Sequence, residues 1–221
     1  DEVAKYPAVV LEDVAMADPE FRAQYQTRVM AALLLDDTPL IGNGRFIGQT
    51  HIGAIFPLHS SEGDTLTVKV PVRGATGRAE VALAALNSLQ AARMPLSLTS
   101  RSIAGLADAM SGQRYGWGGM FENRDCSSTL RDLLLPFGVW LPRNSAQQAK
   151  LGGKFISLEG MDEEAKLSAI RTPGVPFGSF LWLPGHIGLY LGVDERAEPL
   201  LLHNIWGVRT AAAGGGEGRA I

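Results

Sequence analysis

Cysteine is almost missing from this chain: its 221 residues carry one, Cys126. A single thiol excludes an internal disulfide framework. No CxxC pair and no HExxH sequence occurs, so the common zinc signatures are lacking and no metal is implied. G-x-S-x-G is also missing, which removes the usual serine-hydrolase elbow. Gly42, Gly44 and Gly48 are wrongly spaced for a GxGxxG phosphate loop, and no strand–glycine loop–helix unit surrounds them. An excess of either charge is lacking: 20 Lys and Arg face 23 Asp and Glu, a formal net charge of −3. That balance offers no basic groove for nucleic acid. The apolar run at 31–35 falls far short of the ~20 residues that span a bilayer.

Signals are densest over residues 115–148, which read YGWGGMFENRDCSSTLRDLLLPFGVWLPRNSAQQ. After Asp125-Cys126-Ser127-Ser128-Thr129 come Leu130, Leu133, Leu134 and Phe137, spaced i, i+3, i+4 and i+7. This spacing predicts a short helix with one apolar face, ended or kinked at Pro136 and closed by Gly138. Cys126 then falls at a helix N-terminus, where unpaired N–H groups and the helix dipole favour a thiolate, the nucleophilic form. A lone cysteine is often just a small buried hydrophobe. The polar neighbours of Cys126 argue against that here, and a base elsewhere in the chain decides between the two.

Before this stretch, residues 1–38 read as a helical or linker segment. Asp18-Pro19-Glu20 is a cap followed by proline at the first helical position, and Phe21, Tyr25, Val29 and Leu33 recur at helical spacing. From Thr38 the pattern turns to short strands, at 51–57 and 65–72, joined by a turn at 60–64. Leu66, Val68 and Val70 alternate with period two. Short strands with Gly-bearing turns suggest a small barrel. Residues 79–92 read as a strand followed by a short helix, and a break at 94–100 marks a domain boundary. A helix is expected at 103–110, with Ser102 as its cap.

After Gln148 the sequence predicts a polar helix at 162–170 and strands at 180–183, 186–191 and 200–203. Helices first and antiparallel strands later make the second part an α+β domain. The glycines at 214–218 read as a flexible loop or the start of an excised segment. The first residue, Asp1, likewise fits a processed or excised piece.

The chain has four histidines. His51 and His59 lie in the barrel region as ordinary turn or surface residues. His186 opens one apolar strand and His203 closes another, so two neighbouring antiparallel strands bring both imidazoles to one sheet edge. A cysteine–histidine pair needs a third polar group to fix the imidazole tautomer. His186 as base and His203 as orienter meet that need.

Taken together, Tyr115-Gly116-Trp117-Gly118-Gly119, Asp125-Cys126-Ser127, Leu141-Pro142-Arg143-Asn144-Ser145 with Gln147-Gln148, and His186-Ile187-Gly188-Leu189-Tyr190-Leu191-Gly192 resemble the NlpC/p60 family. Those are papain-like cysteine peptidases of bacterial cell-wall peptides. The N-terminal strands resemble the bacterial SH3-like barrels often fused to them. The whole is most similar to γ-D-glutamyl-L-diamino acid endopeptidases. The resemblance implies a barrel with its connector at 39–97 and a papain-like catalytic domain at 98–221.

By position, Cys126 matches the nucleophile, His186 the base, His203 the orienting residue and Tyr115 a tyrosine near the oxyanion site. Asp125, Ser127 and Ser145 match positions that hold the amine and carboxylate of an L-Ala-γ-D-Glu unit, with Trp117 as a pocket wall. A carboxylate facing an ammonium rewards a free N-terminus. Ser128 stands where the family has glycine, and the gap between the histidines is long, with residues 194–199 as a hairpin insertion. That leaves Asn204 as an alternative third residue.

The implied activity is hydrolysis of the γ-D-glutamyl–diamino acid bond in murein peptides with a free N-terminal L-Ala, without a cofactor. The implied partner is the peptidoglycan-derived peptide, with SH3-like residues closing the pocket, and the implied location is the cell envelope. The rival readings are a non-catalytic module that binds wall peptides, and an amidase or acyltransferase using the same cysteine.

Overall fold

In the computed structural model, which describes residues 16–27, 29–151, 153–211 and 217–220, the chain divides into two units. One comprises Asp1–Ser97 with Pro136–Gly138, the other Leu98–Leu135 with Val139–Ile221.

In the first unit, helix α1 (Pro19–Tyr25) starts where the sequence places it, with the Asp18 carboxylate accepting from the Glu20 N–H at 2.9 Å. Phe21 and Tyr25 stack at 5.3 Å and pack against Ala79 and Val81. The helical periodicity does not run on through Val29 and Leu33. Gln26 is already extended, and Leu33 ends strand β1 (Met30–Leu33). This strand is hydrogen-bonded on both sides and Ala31, Ala32 and Leu33 are all buried, so it lacks the alternation that marks a half-buried strand.

Six more strands follow: β2 (Thr38–Gly42), β3 (Arg45–Thr50), β4 (Ile55–Glu62), β5 (Thr65–Arg73), β6 (Ala79–Asn87) and β7 (Ala91–Arg93). They form one antiparallel sheet in the order β3-β2-β6-β5-β4-β1-β7. Leu33, Leu40, Val68, Val70, Ala84 and Leu86 form its core. Asn43 and Gly44 take φ of 51° and 73° between β2 and β3, a tight hairpin turn.

Three expectations shift here. The strand expected at 51–57 begins only at Ile55, because Ile52 is buried in a turn with its N–H on Asp36 Oδ1 at 2.7 Å. The turn expected at 60–64 narrows to Gly63-Asp64. The helix expected after β6 is instead a turn and β7: the Asn87 side chain accepts from the Leu89 and Gln90 N–H groups, and Ala91–Arg93 pairs with β1. Among the described residues β3 and β7 each pair on one side only, so closure into an SH3-like barrel is not shown.

The second unit mixes helices with a separate sheet. Helix α2 (Ser100–Ala109) is capped by Thr99, whose Oγ1 accepts from the Ser102 N–H at 3.1 Å; Ser102, the expected cap, lies inside it. Helix α3 (Cys126–Leu134) ends in a single 3₁₀ turn, Leu135–Phe137, where Pro136 cannot continue the ladder. Two further helices are α4 (Ser145–Gln148) and α5 (Glu163–Arg171), the latter capped by Asp162.

Strands β8 (Phe180–Leu183), β9 (His186–Val193) and β10 (Pro199–Leu202) form an antiparallel sheet with β9 in the middle. Helix α3 packs on β9. Leu130, Leu133 and Leu134 are buried on the helix, and Ile187, Leu189 and Tyr190 on the strand. Each such leucine contributes roughly 1.5–3 kcal/mol of burial, which holds the start of α3 close to the start of β9. The glycine tail is partly strand: β11 (Val208–Ala211) pairs with β12 (Glu217–Ala220), while residues 1–15 and 214–216 of the expected end segments lie outside the described residues.

Candidate active site

Cys126 is the first residue of α3 and is buried. Asp125 caps the helix in a reciprocal box: its Oδ1 accepts from the Ser128 N–H at 2.9 Å, and Ser128 Oγ accepts from the Asp125 N–H at 2.9 Å. Ser128 therefore helps to fix the backbone beside the thiol.

The Asp125 carboxylate is crowded with donors. Arg143 forks onto it, Nη1 to Oδ1 at 3.0 Å and Nη2 to Oδ2 at 2.8 Å. The hydroxyls of Ser127 (3.1 Å) and Ser128 (2.9 Å) and the Gly118 N–H (3.2 Å) complete the set. Burial alone would raise this carboxyl, but Arg143 and the Ser128 N–H and hydroxyl together hold it below its ordinary value. Ser127 Oγ also donates to the Arg143 carbonyl at 2.9 Å, and Gln148 Nε2 donates to the Ser127 and Pro142 carbonyls.

Tyr115 interacts with Cys126, and its ring is edge-on to that of Trp206 at 6.1 Å. Its phenol is pushed up to about 12, first by burial, then by charge interactions with Cys126 and Asp125; the Cys126 backbone N–H pulls the other way. Trp117 opens the 3₁₀ segment Trp117–Glu122 and is 75% exposed, so it presents an aromatic face to solvent. Gly116 closes this turn by donating to the Arg124 carbonyl at 2.9 Å.

The histidines come from the sheet. His186 begins β9, immediately after Gly185, whose carbonyl is 4.0 Å from Cys126 Sγ. His203 follows the last residue of β10, and the β9–β10 pairing brings it to His186: Nε2 of His186 and Nδ1 of His203 are 2.9 Å apart. Burial lowers both imidazoles below 6.5, and for His186 the charge of His203 adds to it. Both are thereby biased to the neutral form, in which one ring nitrogen donates and the other accepts.

The structure thus gathers Tyr115, Asp125, Cys126 and Ser127 at one helix N-terminus and pairs His186 with His203. Asn204 contacts neither imidazole by hydrogen bond; its Nδ2 donates to the Arg124 carbonyl at 3.0 Å and to Thr129 Oγ1 at 3.4 Å. Ser145 is the first residue of α4, away from the Asp125 hydrogen-bond set. Two contributors escaped the sequence reading, Arg143 as the cation on Asp125 and Gln148 as the clamp on Ser127. Both lie in the quoted Leu141–Gln148 motif. A carboxylate expected to be buried needs a cation partner, and Arg143 was the signal for it.

A thiol at a helix N-terminus, 4.0 Å from the carbonyl of the residue before a paired histidine, is an arrangement that nucleophilic catalysis can use. Residues 112–208 match the model of the NlpC/P60 family. One similar solved structure is a novel NlpC/P60 endopeptidase from Photobacterium damselae subsp. piscicida, with TM-score 0.73 and 28% identity over 92% of this chain and 47% of that one. This chain therefore spans about half that protein's length. A second, an NlpC/P60 family protein from Bacillus cereus ATCC 10987, has TM-score 0.56 and 14% identity over 82% of this chain and 60% of that one. At that identity the likeness is one of fold alone. No curated protein matches the chain.

Proposed function

We propose that the protein is a cysteine endopeptidase that hydrolyses the γ-D-glutamyl–diamino acid bond of cell-wall peptides, with Cys126 as nucleophile, His186 as base and His203 as its orienter. The papain-like arrangement of a nucleophile helix on an antiparallel sheet belongs to this reading, as do the SH3-like character of the first unit and a cell-envelope location. The observation that carries it is the 2.9 Å bond between His186 and His203, formed next to the residue that meets the Cys126 thiol.

With Nε2 of His186 committed to His203, Nδ1 is the nitrogen left to take the thiol proton. Neutral His186 then carries its proton on Nε2 and donates it to Nδ1 of His203, which fixes the tautomer. Cys126 Sγ attacks the γ-carbonyl, and the Cys126 N–H at the start of α3, with the Tyr115 hydroxyl beside it, stabilises the developing oxyanion. Protonated His186 returns the proton to the leaving amine. Water then attacks the thioester, regenerating the thiol and releasing the glutamyl carboxylate. No cofactor enters these steps.

A preference for a free N-terminal L-Ala is a separate matter, because Arg143 already balances the Asp125 charge. The test is mass spectrometry of L-Ala-γ-D-Glu-diaminopimelate and its N-acetylated copy, each incubated with wild type and Cys126→Ala. Cleavage at the γ-bond by wild type alone is expected; undiminished turnover by Cys126→Ala sinks the mechanism. Equal cleavage of both peptides assigns Asp125 to holding α3, and cleavage of only the free peptide assigns it, with Arg143, to the amine.

A further inference from the structure

We propose that Asn204 is a positioning residue for the histidine pair, holding His203 against His186 by tying the end of β10 to the backbone just before Cys126. The inference rests on the cysteine-peptidase reading.

Strand pairing does not hold His203, whose ring meets that of His186 edge-on at 5.1 Å. The β9–β10 ladder ends with Leu202 opposite Leu189, so His203 lies one residue beyond the last strand pairing. His203 and Asn204 line a recess of about 170 Å³ together with Met110, Leu133 and Leu202. A side chain next to such a recess is not confined by its neighbours, so its position must be set by directed bonds.

Asn204 supplies those bonds. Its Nδ2 donates to the Arg124 carbonyl at 3.0 Å and to Thr129 Oγ1 at 3.4 Å. Thr129 Oγ1 spends its own proton on the Asp125 carbonyl at 2.8 Å, which leaves its lone pairs to accept from Asn204. The Arg124 carbonyl also takes the Gly116 N–H at 2.9 Å. One carbonyl, two residues before the nucleophile, therefore receives both the Tyr115 turn and the histidine segment. The anchor is itself fixed, because buried Arg124 pairs with Asp132 at 2.8 Å and bonds Gln113. Cys126 and His203 are thus registered through a single backbone group.

The test uses the full chain carrying Asn204→Ser or Asn204→Leu, with Cys126→Ala as the blank. Asn204→Leu keeps the volume and removes the bonds. In both variants kcat should fall about 10–100-fold, the scale of a misplaced catalytic group, with KM moving less than about threefold. ¹⁵N spectra of the imidazoles should show the His186–His203 N–H···N bond in wild type and its loss in both variants. Wild-type kcat and an intact imidazole bond in Asn204→Leu overturn the proposal, since filling space would then suffice. Should Asn204→Leu not fold, Asn204→Ser decides by the same two readouts. A wild type that leaves the murein peptide uncut refutes the peptidase reading instead. The imidazole spectra of Asn204→Ser then decide alone: a lost bond upholds the positioning role and a kept bond overturns it.

Discussion

Arg143 grips Asp125 at two points, Nη1 to Oδ1 at 3.0 Å and Nη2 to Oδ2 at 2.8 Å, while the same carboxylate caps the helix that begins with Cys126. One ion pair thereby joins the segment before α4 to the nucleophile's own backbone. Its planar two-point geometry suits a guanidinium and not an ammonium.

Arg143→Ala should therefore destabilise the second unit by about 2 kcal/mol, less than the ~3–5 kcal/mol for breaking a fully buried pair, because 36% of the Arg143 side chain is exposed. Arg143→Lys should recover less than half of that. The Asp125 carboxyl is held down in the fold, so its contribution is complete above the ordinary carboxylate range and is lost as pH falls through the folded value. Urea unfolding of wild type and Arg143→Ala should accordingly differ at pH 7 and converge in acid. A constant difference down to the acid end would disprove the assignment.

The histidine pair sets an acid limb. Burial, and then the charge of His203, hold His186 below 6.5, so the limb of kcat/KM should lie below that value. His203→Ala removes the second cause and the orienting bond: the limb should move up toward 6.5, and kcat should fall about 100-fold. For stability the sign is the same as for Asp125. The fold favours the neutral imidazoles, so their contribution is whole above 6.5 and declines as pH drops toward the folded values. A pH-rate profile of the two proteins checks both statements.

Tyr115 should remain a protonated donor throughout the working range. Its phenol should ionise at about 12 in an absorbance titration, and that step should vanish in Tyr115→Phe. The same variant should lose about 10–100-fold in kcat if its hydroxyl helps to hold the oxyanion. An unchanged kcat would remove Tyr115 from the reaction.

Gly116 marks a close approach. A Cβ there would meet the Met120 carbonyl, with Asn123 Cβ at 2.6 Å and the Asn123 carbonyl at 2.8 Å. Backbone cannot yield as a flexible side chain can, so Gly116→Ala should cost about 1–3 kcal/mol and displace Tyr115. Thermal unfolding and kcat should drop together; full activity at full stability would show that the turn opens freely.

Much of the local structure could be read from the chain. The apolar spacing of Leu130, Leu133, Leu134 and Phe137 gave α3, which placed Cys126 at its first position. The apolar runs at 180–183, 186–191 and 200–203 marked the three strands that carry the histidines. Local reading failed where pairing overruled propensity. Leu33 kept a helical interval from Tyr25 and yet lies in a strand between two others, and the alanines at 91 and 92 serve as an edge strand.

What the sequence determined by itself was therefore the set of elements with strong periodicity and the residue types at their ends: the thiol at a helix start, a histidine opening one strand and another closing its neighbour. Hydrophobic spacing and capping act over a few residues and are written along the chain. Tertiary structure alone decided the partners: Arg143 on Asp125, Nε2 of His186 on Nδ1 of His203, and Asn204 on the Arg124 carbonyl. Each of those bonds joins residues 17 or more positions apart, so it depends on how separate elements pack and pair, a free energy shared among many buried side chains and assignable to no single motif.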